Sequence, residues 1–400
     1  MEKTTAVIMG RNYTSLLGMA RAAGTAGCEV YLVKTAKQLP GPLSPRRLSS
    51  ETKSRYVKKT FYSQEPKRGE MVDLLIREFA GKEGTVVLIP VDDYSASTVD
   101  LYRDKLAPHF LFPHVTSGSI VELMDKSTQK QMAKRAGLPV AEGWIAEVKD
   151  GSFTLPEGVT YPCFTKPQIS FLGNKVFMKR CDSEEELTAL LREVAQQRDC
   201  PMLIEQFIEI EKEYGVVGFC SGTDVVIPAL TDKIGVGNGR HKGVTVLGRL
   251  SPMQQHPELQ QQIQALLRQT GFVGVFDIDL YENGGTMYFN ELNLRMGAFG
   301  YAMMCAGINL PAMMIETLKG GNPDVSGAVL TREITCLSDK VNLEDYCDGF
   351  ISWKQYQERI ASADRRFLPD GNDPRPYRYF KLRAAQYRIK RTIKQMLGKQ

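Results

Sequence analysis

The sequence predicts an α/β protein of two to three domains, on three observations. The opening, TTAVIMGRNYTSLLGMARAAGTAGCEVYLVKT, alternates a strand, a glycine turn, a helix and a second strand, which is a βαβ unit. A second alternation of strands and helices runs from about residue 115 to 320. Within it, two apolar alternating segments are joined by Glu282-Asn283-Gly284-Gly285, the pattern of a β-hairpin. Four hundred residues, 42% hydrophobic and 24% charged, suffice for several ordinary cores.

Taken in order, the first strand covers Ala6–Met9 and the second Glu29–Val33, with the helix between them starting near Gly10. GRNYTSLLG lacks the GxGxxG spacing, so a dinucleotide fingerprint is a weak reading. A helix over 70–83 precedes the buried strand of TVVLIPVDDYSAS, which ends at Asp92 and Asp93. Ligands of open α/β sheets bind beyond the carboxyl ends of strands, so these two are candidate substrate contacts. Helix capping by Asp93 or Ser95 is the other reading. A domain boundary is expected near residue 115, followed by a helix closing at Gly137. Next come strands in PCFTKPQIS and NKVFMKR, a helix capped by Ser183, and strands in PMLIEQFIE, EYGVVGFCS and TDVVIPALTD. After a loop, the helix HPELQQQIQALLRQTG ends at Gly271, and the hairpin and a helix over 300–318 follow. Residues 321–373 read as a mixed segment and 374–400 as a basic tail.

No run of 18 apolar residues exists, and the N-terminus lacks the apolar core of a signal peptide, so a cytoplasmic protein is expected. Eight scattered cysteines without CxxC spacing read as reduced structural thiols, and four histidines without HExxH spacing give no zinc site. The net charge of +5 resides in the tail: nine cations from Arg375 to Lys399 with no acid, mixed with Tyr379, Phe380, Leu382, Ala385, Tyr387 and Ile389. Such a helix suits peripheral contact with an anionic membrane, at its inner face, or simply a solvated terminus; nucleic acid is not an expected partner.

The hairpin carries the chemistry. Strand residues two apart share a face, so Asp277 and Asp279 point together, as do Glu291, Asn293 and Arg295. Carboxylate and amide oxygens suit a hard divalent cation, and an arginine beside them suits a phosphoryl or carboxylate group. A solvated acidic face is the plainer alternative. Upstream lie Lys126 at a helix start, Lys166 after a buried strand, the turn Ser170–Lys175, and the strand Leu203–Ile208 leading to Glu211 and Glu213. Singly, Lys166 reads as an edge-strand gatekeeper, Glu205 as a surface charge and Lys126 as a helix-face residue. Their common order argues for one site.

That order and spacing resemble the ATP-grasp superfamily over roughly residues 1–320. The resemblance implies an ATP-grasp fold at 116–320, with a small lid subdomain (116–208) and a metal and substrate subdomain (209–320), preceded by a Rossmann-like domain at 1–115. It implies that Lys126 and Lys166 hold ATP phosphates, and that the loop with Ser170, Gly173 and Lys175 covers them. The main chain of Glu205, Gln206, Phe207 and Ile208 would meet the adenine, and Glu213, ahead of Glu211, the ribose. Asp277, Glu291 and Asn293 would bind Mg²⁺, for which Mn²⁺ can substitute. Where the family motif reads Glu-x-Asn-Pro-Arg, this chain has Glu291-Leu292-Asn293-Leu294-Arg295, a variant that looks like the amino-acid ligase subset that includes D-aspartate ligase.

The implied activity is a carboxylate–amine ligase joining small-molecule substrates, an amino acid or cell-envelope precursor among them, through an acylphosphate, with Arg295 and Lys166 catalytic. Asp279 joins the candidate substrate contacts. The stretch Asp232–Leu250, with Lys233, Arg240 and Lys242, reads as an acceptor-side lid or as a flexible hairpin connection. Two other classes stay open: a bicarbonate-using carboxylase or carbamoyl-phosphate-type enzyme, and a non-catalytic nucleotide-binding module. Oligomeric state is not legible, and a dimer is compatible.

Overall fold

Runs of Val, Ile and Leu bounded by turn residues assemble into three main sheets in the computed structural model, which describes residues 3–11, 13–37, 49–169, 175–239 and 242–396. The first sheet is parallel, in the order β3 (Val57–Gln64), β2 (Glu29–Ala36), β1 (Thr4–Gly10), β4 (Thr85–Pro90). Helices α1 (Tyr13–Thr25), α2 (Arg68–Phe79) and α3 (Asp93–Leu101) connect or follow its strands. Asp92, one residue ahead of Asp93, caps α3, and Ser95 completes the capping box from three residues on. The Asp92 carboxylate accepts the Ser95 N–H at 2.8 Å and, from the β1 loop, the Arg11 N–H at 2.7 Å.

The chain then crosses to the largest sheet. The short strand β5 (His114–Val115) pairs there, and α4 (Lys126–Arg135) lies on the same body, with Met132 and Ala133 in one core with Leu259 and Ile263. Asp125 caps α4 and splits the helix expected before Gly137 into two. The expected lid therefore begins later than residue 116. Its sheet is antiparallel, ordered β8 (Lys179–Cys181), β7 (Cys163–Pro167), β9 (Met202–Gln206), β6 (Gly143–Ala146), and α5 (Glu184–Gln197) covers it with Leu187, Leu191 and Val194.

Among the described residues the large sheet has nine strands. Its main path runs β14 (Thr286–Asn293), β13 (Phe272–Asn283), β10 (Lys212–Ser221), β11 (Ala229–Val236), β12 (Thr245–Pro252), β15 (Ile334–Leu337), β16 (Arg365–Arg366). Helix α6 (Pro257–Thr270) packs Leu259, Ile263 and Leu266 against Phe276, Ile278 and Leu280 of β13. The other face meets the first domain: Val217 and Val275 share a core with Leu16 and Met19 of α1 and Met314 of α7 (Leu310–Leu318). Two readings change here. The loop expected over 232–250 is mostly strand, with only 237–244 between β11 and β12. The mixed segment at 321–373 extends the large sheet through β15 and β16 and adds α8 (Asp339–Cys347).

The tail is a helix, α9 (Pro374–Met396). Its amphipathic pattern is partly consumed by the protein: Phe380 and Ala384 are buried with Leu17, Leu343 and Leu368, whereas Leu382 and Ile389 are exposed. Among the described residues no helix is long and apolar enough to cross a membrane.

One buried cation ties the first domain to the C-terminal segment. Arg21 of α1, 1% exposed, donates from Nε to Asp373 Oδ2 at 2.9 Å, from Nη1 to the Tyr301 hydroxyl at 2.7 Å and the Phe367 carbonyl at 2.8 Å, and from Nη2 to the Leu368 and Asp373 carbonyls. Replacing Arg21 by Gln leaves the buried Asp373 carboxylate without its counter-charge. Urea denaturation should show a loss of about 3–5 kcal/mol; a loss below about 1 kcal/mol would show that the cation contributes little.

Candidate functional site

The hairpin register sets the site. The two-residue turn Gly284–Gly285 has φ of 56° and 76°, values that favour glycine and match a type I′ connection. Asp277 then faces Asn293, and Asp279 faces Glu291. Past that pair the register shifts, so that Leu280 faces Phe289 and Asn290 is the extra residue of a bulge. Phe276, Ile278, Leu280 and Leu292 fill the core on the opposite face. The pleat thus sends Val275 into the core shared with the first domain and Asp277 and Asp279 into the cleft beyond it.

Most groups on this face have a partner. Arg295 donates from Nε to Asp93 Oδ1 at 2.6 Å and from Nη2 to Asn293 Oδ1 at 2.9 Å. Lys233 of β11 lies 2.6 Å from Asp279 Oδ1 and 3.5 Å from Glu213 Oε2. Burial opposes its charge, but Asp279 and Glu213 raise its ammonium to about 12. Lys126 at the start of α4 lies 3.4 Å from Glu291 Oε1. Lys166 of β7 donates to Asn290 Oδ1 at 3.2 Å and lies 2.9 Å from Glu205 Oε2. The carboxylate of Glu211 accepts the Gly284 N–H at 3.2 Å and so braces the turn.

Asp277 is the exception in balance. The surrounding protein and then the neighbouring charge of Asp279 push its carboxyl up to about 7, although Arg295 and Lys233 pull the other way. Gly297 packs against the Asp277 carboxylate, where a Cβ would lie 1.4 Å from Asp277 Oδ2; only glycine leaves room there. Asp277, Glu291 and the second lone pair of Asn293 Oδ1 make an oxygen donor set short of one positive charge, which fits a hard divalent ion. Among the described residues no three His, Cys, Asp or Glu side chains form a closed metal cage. An ion held here would complete its shell from ligand oxygens, as Mg²⁺ does with phosphates.

Several contributors escaped the sequence reading. Lys130, one turn after Lys126, pairs with Glu205 and donates to the Ala141 carbonyl at 2.8 Å. Lys130, Glu205 and Lys166 are all buried. Burial disfavours the Glu205 carboxylate, but the two ammonium groups hold its carboxyl below the usual range, while burial lowers Lys130. Gln129 clamps the hairpin backbone: Leu292 N–H donates to its Oε1 at 2.9 Å, and its Nε2 donates to the Leu292 carbonyl at 2.7 Å. The available signal was the helix KSTQKQMAKR, polar nearly all round although its position demands burial.

Other expected residues are placed differently. The N–H groups of Gln206 and Phe207 are engaged by the Glu142 and Pro162 carbonyls, leaving that of Ile208 without a partner among the described residues. Asp92 is occupied as a cap. Lys233 stands on a strand among acids, and Lys242 is exposed at the hairpin tip. Ser170, Gly173 and Arg240 lie outside the described residues, as does the side chain of Lys175.

Comparison with known proteins bears on the fold. The family model of the ATP-grasp domain matches residues 131–307. The carbamoyl phosphate synthase large chain of Pseudomonas syringae is 26% identical over 201 residues, 49% of this chain but only 18% of that protein. The chain therefore spans less than a fifth of that relative. Among solved structures, the biotin carboxylase domain dimer of Hydrogenobacter thermophilus 2-oxoglutarate carboxylase, in complex with MgADP, ADP and bicarbonate, superposes with a TM-score of 0.62 at 18% identity, covering 84% of this chain and 74% of that one. The L-amino acid ligase of Bacillus licheniformis superposes with a TM-score of 0.57 at 15% identity, covering 84% and 79%. Residues 131–307 thus resemble an ATP-grasp domain, and with its small antiparallel sheet, its hairpin and an N-terminal parallel-sheet domain the chain has the ATP-grasp fold.

Proposed function

We propose that the protein is an ATP-dependent carboxylate–amine ligase acting in the cleft between the lid sheet and the β13–β14 hairpin. The carrying observation is that Lys126 and Lys166 reach hairpin residues Glu291 and Asn290, at 3.4 and 3.2 Å. Cations set against acids in one cleft suit a triphosphate with its divalent ion: ammonium groups meet phosphate oxygens, and carboxylates meet the ion. The MgADP in the biotin carboxylase complex supports the nucleotide, and the amino-acid ligase supports amide formation.

In this reading Lys126 and Lys166 leave Glu291 and Asn290 for phosphate oxygens, while Glu205 and Lys130 keep Lys166 in place. The Ile208 N–H meets the adenine edge and Glu213 the ribose hydroxyls. Asp277, Glu291 and Asn293 hold Mg²⁺, which supplies charge neutralisation along the phosphates. A substrate carboxylate oxygen attacks the γ-phosphorus and ADP leaves, giving an acylphosphate; an amine then adds to its carbonyl carbon, losing a proton, and phosphate departs. Arg295, held by Asp93 and Asn293, stabilises the transferring phosphoryl group and the tetrahedral oxyanion. The similarity to carbamoyl phosphate synthase favours a second reading, with bicarbonate as the carboxylate.

ADP release in mixtures of amino acids and dipeptides, with and without bicarbonate, tests both. Amine-dependent release is expected; strictly bicarbonate-dependent release selects the second reading, and tight ATP binding with no turnover contradicts each. Replacing Glu291 by Ala should lower turnover roughly 100-fold or more by removing a metal ligand; a near-normal rate would remove Glu291 from that role. Below about pH 7 an incoming ion must displace the Asp277 proton. Mg²⁺ affinity should therefore fall toward tenfold per pH unit below that point and level off above it. Calorimetric titration between about pH 5.5 and about 8.5 measures this, and a flat profile would contradict the assignment of Asp277.

A further inference from the structure

A second cavity, of about 370 Å³, is built by other elements: the 3₁₀ turn Ser50–Lys53, the start of β3 and the first turns of α9. Three cations line it, Lys53, Arg375 and Arg378, and among the described residues no acidic side chain does. The carboxylates carried by the same segments face elsewhere. Glu51 is buried and paired with Lys34. Asp373, also buried, accepts from Arg21 Nε at 2.9 Å, Ser54 Oγ at 2.7 Å and the Arg55 N–H at 2.8 Å. Lys53 lies over the Tyr379 ring at 5.8 Å, and among the described residues the guanidinium groups of Arg375 and Arg378 have neither a hydrogen-bond nor an ion-pair partner.

Three like charges around one cavity repel unless an anion is shared among them. Two guanidinium forks and one ammonium are the donor set for a phosphate group, which arginine grips in bidentate fashion. The volume exceeds what a phosphate alone needs and falls in the range of small-molecule sites. Tyr379 and Leu382 supply an apolar wall for the rest of the ligand. The floor is held by the Ser54–Asp373–Arg21 bonds, so the cations project from a fixed frame.

We propose that this cavity binds a phosphate ester, with Lys53, Arg375 and Arg378 on the phosphate and Tyr379 and Leu382 beside its carbon body. The ester has two sources, a soluble metabolite or a phospholipid headgroup. Calorimetric titration of the full chain with glycerol phosphate, its candidate nucleotide site kept filled by a non-hydrolysable ATP analogue, addresses the first. Co-sedimentation with phosphatidylcholine vesicles, with and without phosphatidylglycerol, addresses the second.

One-to-one binding of glycerol phosphate is the expected result, weakened about tenfold or more in Arg375→Gln/Arg378→Gln and less in Lys53→Gln. A charge-matched control on the lid, Lys149→Gln/Arg192→Gln, should bind as wild type. Binding confined to phosphatidylglycerol vesicles, and lost in the same double variant only, also supports the site and assigns it to a headgroup. Absence of saturable binding to either probe, variants that bind as wild type, or an equal loss in the control would overturn it. Thermal unfolding of each variant separates loss of ligand from loss of fold.

Discussion

The register between β13 and β14 is the constraint on which the site depends. A strand slipped by one residue turns its whole side-chain set over. In this hairpin a slip would drive Asp277 and Asp279 into the packing of α6 and expose Phe276, Ile278 and Leu280. The apolar face therefore holds the polar face in position. Two glycines at positive φ close the turn, Glu211 accepts the Gly284 N–H, and Gln129 clamps Leu292 between Glu291 and Asn293. The oxygens of the candidate site are thus placed by apolar packing and by backbone bonds of neighbouring residues.

Charge balance is the second organising term. The cleft gathers Asp93, Glu205, Glu213, Asp277, Asp279 and Glu291 opposite Lys126, Lys130, Lys166, Lys233 and Arg295. Isolated charges at such depth are costly, so each is tolerated only with its partner. Partners are drawn from different bodies: Lys166 from the lid sheet, Lys126 and Lys130 from α4, Asp93 from the first domain. The same pairs that permit burial also fasten those bodies around the cleft. Asp277 alone is left with its carboxyl raised toward neutrality, beside the one position where a side chain would displace it.

The C-terminal segment is integral to this frame. Strands β15 and β16 extend the large sheet, and Arg21 binds the carbonyls of Phe367 and Leu368 as well as Asp373. Four hydrogen bonds from one guanidinium thereby join α1 to the chain leading into α9, and a fifth reaches the Tyr301 hydroxyl. The basic tail consequently starts from an anchored base, with Phe380 and Ala384 inside the protein and its first cations gathered around a cavity.

Much of this was legible from residues alone, because the signals were local. The βαβ opening, the Ser183 cap, the Gly271 helix end and the hairpin each follow from neighbours within a few residues. Lys126, Lys166, Asp277, Glu291 and Asn293 could be singled out because period-two spacing and chain order carry that information. Long-range geometry settled what the sequence left open. Residues 321–373 showed no signature because β15 is defined by its partners β12 and β16, both distant in sequence. Lys130 and Gln129 sit on a helix that is polar nearly all round, and only the Ala141 carbonyl and the hairpin backbone that they bond give them a place in the cleft. Asp93 was separated from Arg295 by 202 positions, and nothing in either neighbourhood announced the bond. The sequence by itself determined which side chains share a strand face, since the pleat is a property of consecutive residues. Only the tertiary structure decided which of those side chains face one another across the cleft, since ion pairing between distant segments depends on how the sheets are stacked.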